Sequence, residues 1–173
     1  MDYSVPIDEM LFQLEHMCNV SELQRYNKYE NLDFATIKSI LEEASKLCSK
    51  TIAPINRLGD ITHPIKRNDE VSCPPEFLKA YQEISFGGWV GMLGSQNYGG
   101  MQLPLVITSC VNEMLGSACL SLALNPLMTQ GQIEALESHA SEEIKRQFLP
   151  NLMSGRWSGT MNLTEETAGS DVG

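Results

Sequence analysis

Basic side chains are scarce in this 173-residue chain: 12 Lys and Arg against 22 Asp and Glu leave a formal charge of −10. That balance repels polyanions and argues against nucleic acid as a partner. A small phosphorylated ligand is a separate case, because backbone amides at a loop or helix start bind phosphate whatever the net charge. Paired cysteines are missing too. Cys18, Cys48, Cys73, Cys110 and Cys119 form an odd set without a CxxC, which argues against a disulfide framework and a zinc site and reads as buried reduced thiols. His16, His63 and His139 lack partners at metal-ligand spacing, so no metal is expected. No GxSxG elbow supports a Ser/His/Asp triad. The pairs Glu142-Glu143 and Glu165-Glu166 read as solvated carboxylates, and no catalytic residue is assigned. Met1-Asp2-Tyr3 opens without the basic flank and apolar run of a signal peptide, which predicts a soluble, cytoplasmic protein. Internal repeats and low-complexity tracts are absent.

Helical periodicity dominates what is present. Ile7, Met10, Leu11, Leu14 and Met17 form one stripe of a short helix over residues 7–18. Asp33 is an N-cap candidate for a helix with Phe34, Ile37, Leu41, Ala44 and Leu47 or Cys48 inward, ending near Pro54. Residues 57–73 read as a loop. Pro74-Pro75 opens a helix with Phe77, Ala80, Tyr81 and Ile84 inward, stopped by Gly87-Gly88. The glycine-rich run 91–104 raises a phosphate loop as a thought, but its match to such motifs is poor. Residues 105–124 are apolar on nearly every face and long enough to suggest a membrane span; Asn112 and Glu113 in mid-segment favour a central helix of an all-α domain. Asn125-Pro126 predicts a break before a short helix over 129–138, and Ser141 caps a last helix with Ile144, Phe148 and Leu152 inward.

At Trp157 the period changes to two. Trp157, Gly159, Met161 and Leu163 alternate with Ser158, Thr160, Asn162 and Thr164, which predicts a β-strand. A lone strand cannot satisfy its own edges, so the pattern also predicts an incomplete chain. The strand empties into Glu165-Glu166-Thr167-Ala168-Gly169-Ser170-Asp171, small and hydroxylic residues among which Gly169 lets a ligand approach the backbone. Two readings stand here: a binding loop, or a polar turn toward a next strand.

Thr164-Glu165 followed by Ala168-Gly169-Ser170-Asp171 resembles the flavin-binding signature of acyl-CoA dehydrogenases. Gly88-Trp89-Val90-Gly91, Asn97-Tyr98-Gly99-Gly100, Leu103-Pro104, Phe148-Leu149-Pro150 and Ser154-Gly155 resemble further motifs of that family in the same order. The first 32 residues look like the N-terminal extension of the branch containing 3-methylmercaptopropionyl-CoA dehydrogenases and alkylation-response-protein relatives. Two departures stand out: Glu166 where the family usually has proline, and Arg156 where an acidic residue is common.

The resemblance implies an all-α fold, the helical N-terminal domain of the acyl-CoA dehydrogenase fold, with the first strand of the following β-domain at its end. It divides the chain into an extension (1–32), a helical domain (33–155) and the start of a β-domain with the flavin motif (156–173). It implies FAD as cofactor, contacted by Met161, Leu163, Thr164, Gly169 and Ser170, with Ser170 also reaching the CoA ester and residues 120–130 helping to wall the acyl chain. The implied reaction is α,β-dehydrogenation of an acyl-CoA to a trans-enoyl-CoA, with an electron-acceptor flavoprotein as partner and a homo-oligomer as the complete form. The proton-abstracting glutamate of the family lies in a later domain, so this chain is expected to be inert alone, as a truncated chain or broken reading frame. The alternative from another class is a helical interaction domain that keeps family sequence without chemistry.

Overall fold

The computed structural model describes residues 3–171; Met1-Asp2 and Val172-Gly173 lie outside the described residues. Helix α1 (Ile7–Phe12) runs straight into a π turn over Gln13–Met17, closed by Cys18 N–H donating to the Gln13 carbonyl. The wider turn rotates the stripe: Met10, Leu11 and Leu14 are buried, while Met17, expected inward, is 72% exposed.

Asp33 caps α2 (Phe34–Leu47), its Oδ1 accepting from Thr36 N–H at 2.7 Å. Ile37, Leu41 and Ala44 are buried along it. Instead of stopping near Pro54, the helical path continues through a π turn (Cys48–Ile52) and a 3-10 turn (Ala53–Ile55) into α3 (Asn56–Ile61). Pro54 is tolerated because it opens that turn, where its missing N–H costs no bond. The expected loop beyond it holds a small hairpin, β1 (Ile65–Arg67) against β2 (Glu70–Ser72), turning on Asn68 at φ 55°. Three-residue strands exposed on both faces carry no alternation to read.

Helix α4 (Pro75–Phe86) starts on the proline pair as expected and buries Ala80 and Ile84. The glycine-rich stretch after it folds on itself. Met101, Gln102 and Leu103 donate their N–H groups to the carbonyls of Gly91, Gly94 and Met92. A Cβ on Gly100 would lie 2.1 Å from the Gly94 carbonyl oxygen. These glycines serve a close backbone crossing, and those amides are already spent rather than open to phosphate. Two carboxylates hold the loop from outside: Glu137 accepts from Ser95 N–H at 2.8 Å, and Glu142 accepts from the Tyr98 hydroxyl at 3.0 Å. Lys145 and then Tyr98 hold the Glu142 carboxyl below its ordinary pKa.

Helix α5 (Leu105–His139) is two helical arms joined at a kink at Cys119, whose φ of −161° and ψ of 94° are extended. The Asn112 amide donates to Gln130 Oε1 at 2.9 Å across 18 residues. A straight helix would separate them by about 27 Å, so the two arms, 105–118 and 120–139, fold back on each other. The expected break at Asn125-Pro126 is therefore misplaced: Pro126 sits buried inside the second arm. Among the described residues α5 is long and apolar enough to cross a membrane. Its two arms instead bury Ile107, Val111, Met114, Leu115, Ala118, Leu122 and Ile133 in the protein.

Ser141 Oγ accepts from Ile144 N–H and starts α6 (Glu142–Met153). Its buried face is Leu149, Leu152 and Met153; Ile144 and Phe148, expected inward with Leu152, are 41% and 37% exposed and turn toward Trp157. The main core joins α1, α2, α4 and both arms of α5, and a smaller one joins Ile133 to α6. Each fully buried aliphatic side chain such as Leu14 or Ile37 contributes about 1.5–3 kcal/mol. The N-terminal segment is built into the main core, with the Tyr3 hydroxyl donating to the Met114 carbonyl at 2.9 Å. The cysteines divide: Cys48 and Cys119 are buried, whereas Cys18 and Cys73, expected buried, lie exposed in polar connections.

Candidate functional site

The sequence reading placed its binding residues on a strand over 157–164, and that strand is not formed: no ladder includes these residues. The physical reason is the one the pattern itself supplied. A period of two selects the extended state only when a neighbour accepts its edges, and the described residues provide none there.

The segment has two parts with different character. Residues 157–159 are fixed to the helices. Trp157 N–H donates to the Asn151 carbonyl at 3.1 Å, and its ring meets Phe148 at a centroid distance of 5.9 Å. The Ser158 hydroxyl donates to Asn125 Oδ1 at 3.2 Å. Gly159 N–H donates to Thr129 Oγ1 at 3.1 Å in a buried setting. From Thr160 the chain leaves the body, and among the described residues no hydrogen bond engages the backbone of 160–164.

Met161 and Leu163 are 60% and 56% exposed, and Thr164, Gly169 and Ser170 are exposed as well. Glu165 and Ala168 exchange backbone hydrogen bonds in a turn, and a Cβ on Gly169 would meet nothing within 4 Å. The five expected residues therefore share one open, continuous ledge rather than a closed pocket. It carries main-chain donors and acceptors that make no hydrogen bond over 160–164 among the described residues, together with the exposed Thr164 and Ser170.

Beside the fixed part lies an apolar cleft of about 520 Å³ lined by Leu136, Ile144, Phe148, Leu152 and Trp157, with Gln132 at its side. Leu120, Leu124 and Leu127 are exposed at helical spacing on the second arm of α5. Within the 120–130 stretch expected to wall an acyl chain, Thr129 and Gln130 are buried and committed to internal hydrogen bonds. The exposed residues of that stretch are Leu120, Ser121, Leu124, Asn125 and Leu127. Sequence reasoning missed Asn125 and Thr129 because Asn125-Pro126 read as a helix break. The available signal was Gly159, a glycine inside an alternating run, which marks close backbone approach.

A predominantly helical body thus ends in an exposed segment whose main chain over 160–164 makes no hydrogen bond among the described residues. The model of the acyl-CoA dehydrogenase N-terminal domain matches residues 35–156, and the chain belongs to the acyl-CoA dehydrogenase family. It is 35% identical to a 3-methylmercaptopropionyl-CoA dehydrogenase from Ruegeria pomeroyi, over 99% of this chain and 29% of that protein. It is 29% identical to a butyryl-CoA dehydrogenase from Syntrophomonas wolfei, over 99% of this chain and 29% of that protein. A broad-specificity linear acyl-CoA dehydrogenase of Mycobacterium tuberculosis is 26% identical, over 99% of this chain and 28% of that protein. The chain spans less than a third of the length of these relatives.

Proposed function

We propose that this chain supplies the helical wall and the flavin-edge segment of an FAD-dependent acyl-CoA dehydrogenase, and that it is inert by itself. Residues 33–155 are then the helical domain, 1–32 its extension, and 156–173 the start of a β-domain. The observation that carries the reading is the unpaired main chain of 160–164, which leads into Thr164-Glu165 and Ala168-Gly169-Ser170-Asp171. A flavin ring presents a polar edge of alternating carbonyls and ring nitrogens, and the main chain of Met161 and Leu163 with the Thr164 hydroxyl offers donors and acceptors to match. The donor set fits.

When bound, FAD supplies the hydride acceptor that removal of an unactivated β-hydrogen from an acyl-CoA requires. The chain's own part is to hold and to orient. Met161, Leu163 and Thr164 contact the ring edge, Gly169 leaves room for close approach, and Ser170 contacts cofactor or the phosphate-bearing end of the CoA ester. Leu120, Leu124 and Leu127 offer apolar surface to an acyl chain. No proton-abstracting base is assigned to Glu165, whose backbone forms the turn with Ala168; that role is left to another part of the complete enzyme. An electron-acceptor flavoprotein as partner, a homo-oligomeric complete form and a cytoplasmic location belong to the same proposal.

The test is a chimera in which residues 1–173 replace the matching first third of the Ruegeria relative. The expected result is visible flavin absorbance after purification and dehydrogenation of an acyl-CoA with an artificial electron acceptor, while the chain alone shows neither. A folded chimera that carries no flavin, or a lone chain that is stoichiometrically yellow, overturns the reading.

A further inference from the structure

Asn125, Thr129 and Gln132 lie on one side of the second arm of α5 at helical spacing, and between them they meet Ser158 and Gly159 of the exiting chain. Asn125 Oδ1 accepts from the Ser158 hydroxyl, and Thr129 Oγ1 accepts from Gly159 N–H. Gln132 closes the space at Gly159, where an added Cβ would lie 2.5 Å from Gln132 Cβ and 3.3 Å from Thr129 Cα. We propose that Thr129, with Asn125 and Gln132 on either side, is a positioning residue that sets the register of the flavin-edge segment on the helical body. The proposal rests on the flavin reading above.

A threonine that bonds the carbonyl four residues back is routine in a helix, and the Thr129 hydroxyl does so, donating to the Asn125 carbonyl at 3.0 Å. What is not routine is the other side of that oxygen. It accepts from an amide 30 residues later, in a buried place that water does not replace. The hydroxyl thus works as a two-sided joint, with its proton committed to the helix and its lone pair to Gly159. Removing it strands a buried N–H.

Register matters because the segment reads in twos. Drawn out as a strand, Gly159, Met161 and Leu163 share one side, and a slip of one residue exchanges which main-chain groups face a ligand edge. Gly159 is the last residue held before five that have no hydrogen bond among the described residues. The position of the whole ledge is therefore decided at this joint. Gly159 must be glycine for the approach, and Thr129 must keep a hydroxyl for the lock.

Two measurements separate this proposal from the reading beneath it. In the chain itself, amide hydrogen exchange at Gly159 is read by NMR. Thr129→Val is expected to speed it roughly five-fold or more, the scale of one lost hydrogen bond, and Thr129→Ser to leave it near the original rate. Unchanged exchange in Thr129→Val overturns the proposal. In the chimera, Thr129→Val is expected to weaken FAD retention roughly ten-fold and to shift the visible flavin band, with Thr129→Ser restoring both. Equal retention by Thr129→Val and the parent overturns the positioning role. A parent chimera without flavin instead sinks the flavin reading. Should Thr129→Val fail to fold, Ser158→Ala removes the exposed rung at Asn125 and is expected to speed Gly159 exchange about two-fold; no change there counts against the joint.

Discussion

The side-chain amide of Asn112 and the side-chain oxygen of Gln130 meet at 2.9 Å between the two arms of α5. Gln130 is 4% exposed, and its amide nitrogen also reaches the Trp89 carbonyl at 3.4 Å. Removing Asn112 strips the buried Gln130 Oε1 of its donor, and removing Gln130 leaves the half-buried Asn112 amide without its partner. Asn112→Ala and Gln130→Ala should each cost about 1–3 kcal/mol, and the double variant should cost clearly less than their sum. Urea unfolding of the four proteins checks this; strict additivity would mean the clasp carries no energy of its own.

That clasp also shows where the sequence stopped being readable. The elements around it were legible: Asp33 and Ser141 as caps, the proline pair before α4, and the stripes Ile37-Leu41-Ala44 and Ala80-Ile84 all announce themselves through residue type and spacing. The fold-back of α5 was not, because Cys119 is neither proline nor glycine, and nothing local marks it. Pro126 drew the break to the wrong place, since a proline inside a helix removes one hydrogen bond yet is tolerated when the arm is held by packing. The candidate site could be proposed from the sequence through Thr164, Gly169 and Ser170, but its geometry could not be read there. Its anchor lies 30 residues upstream, and alternation alone cannot say what a strand leans on. Ile144 and Phe148 fit the helical stripe equally well whether they face a core or a cleft.

Glycines of opposite consequence sit in the loop and in α5. At Gly100 a Cβ would run into the Gly94 backbone, which cannot yield without opening the crossing. Gly100→Ala should destabilise by about 2–3 kcal/mol. Gly131 is helical, exposed and has nothing within 4 Å of an added Cβ, so Gly131→Ala should stabilise by about 0.5–1 kcal/mol. Thermal unfolding of the two variants should move in opposite directions, and a Gly100→Ala protein as stable as the parent would contradict the close crossing.

Burial pushes the Cys48 thiol up to about 12, from an ordinary value of 9.0. Near neutral pH a thiol reagent should label Cys18 and Cys73 quickly and reach Cys48 only on unfolding. The fold favours the protonated thiol, so this contribution to stability is intact below 9.0 and is lost as pH rises toward about 12. Unfolding midpoints measured across that window should fall less steeply in Cys48→Ala. Equal slopes in the two proteins would show that Cys48 ionises in the fold as readily as in the open chain.

The Tyr3 hydroxyl bonds the Met114 carbonyl, 111 residues away, and Met10, Leu11, Leu14 and Val20 share the core with α5. During synthesis these residues emerge well before residues 105–139, part of the surface that covers them. The nascent chain carries an uncovered apolar helix until residues beyond 114 have left the ribosome. The packing of residues 3–23 is thus completed only once α5 has been made, and while they wait an apolar helix lies open to misassociation.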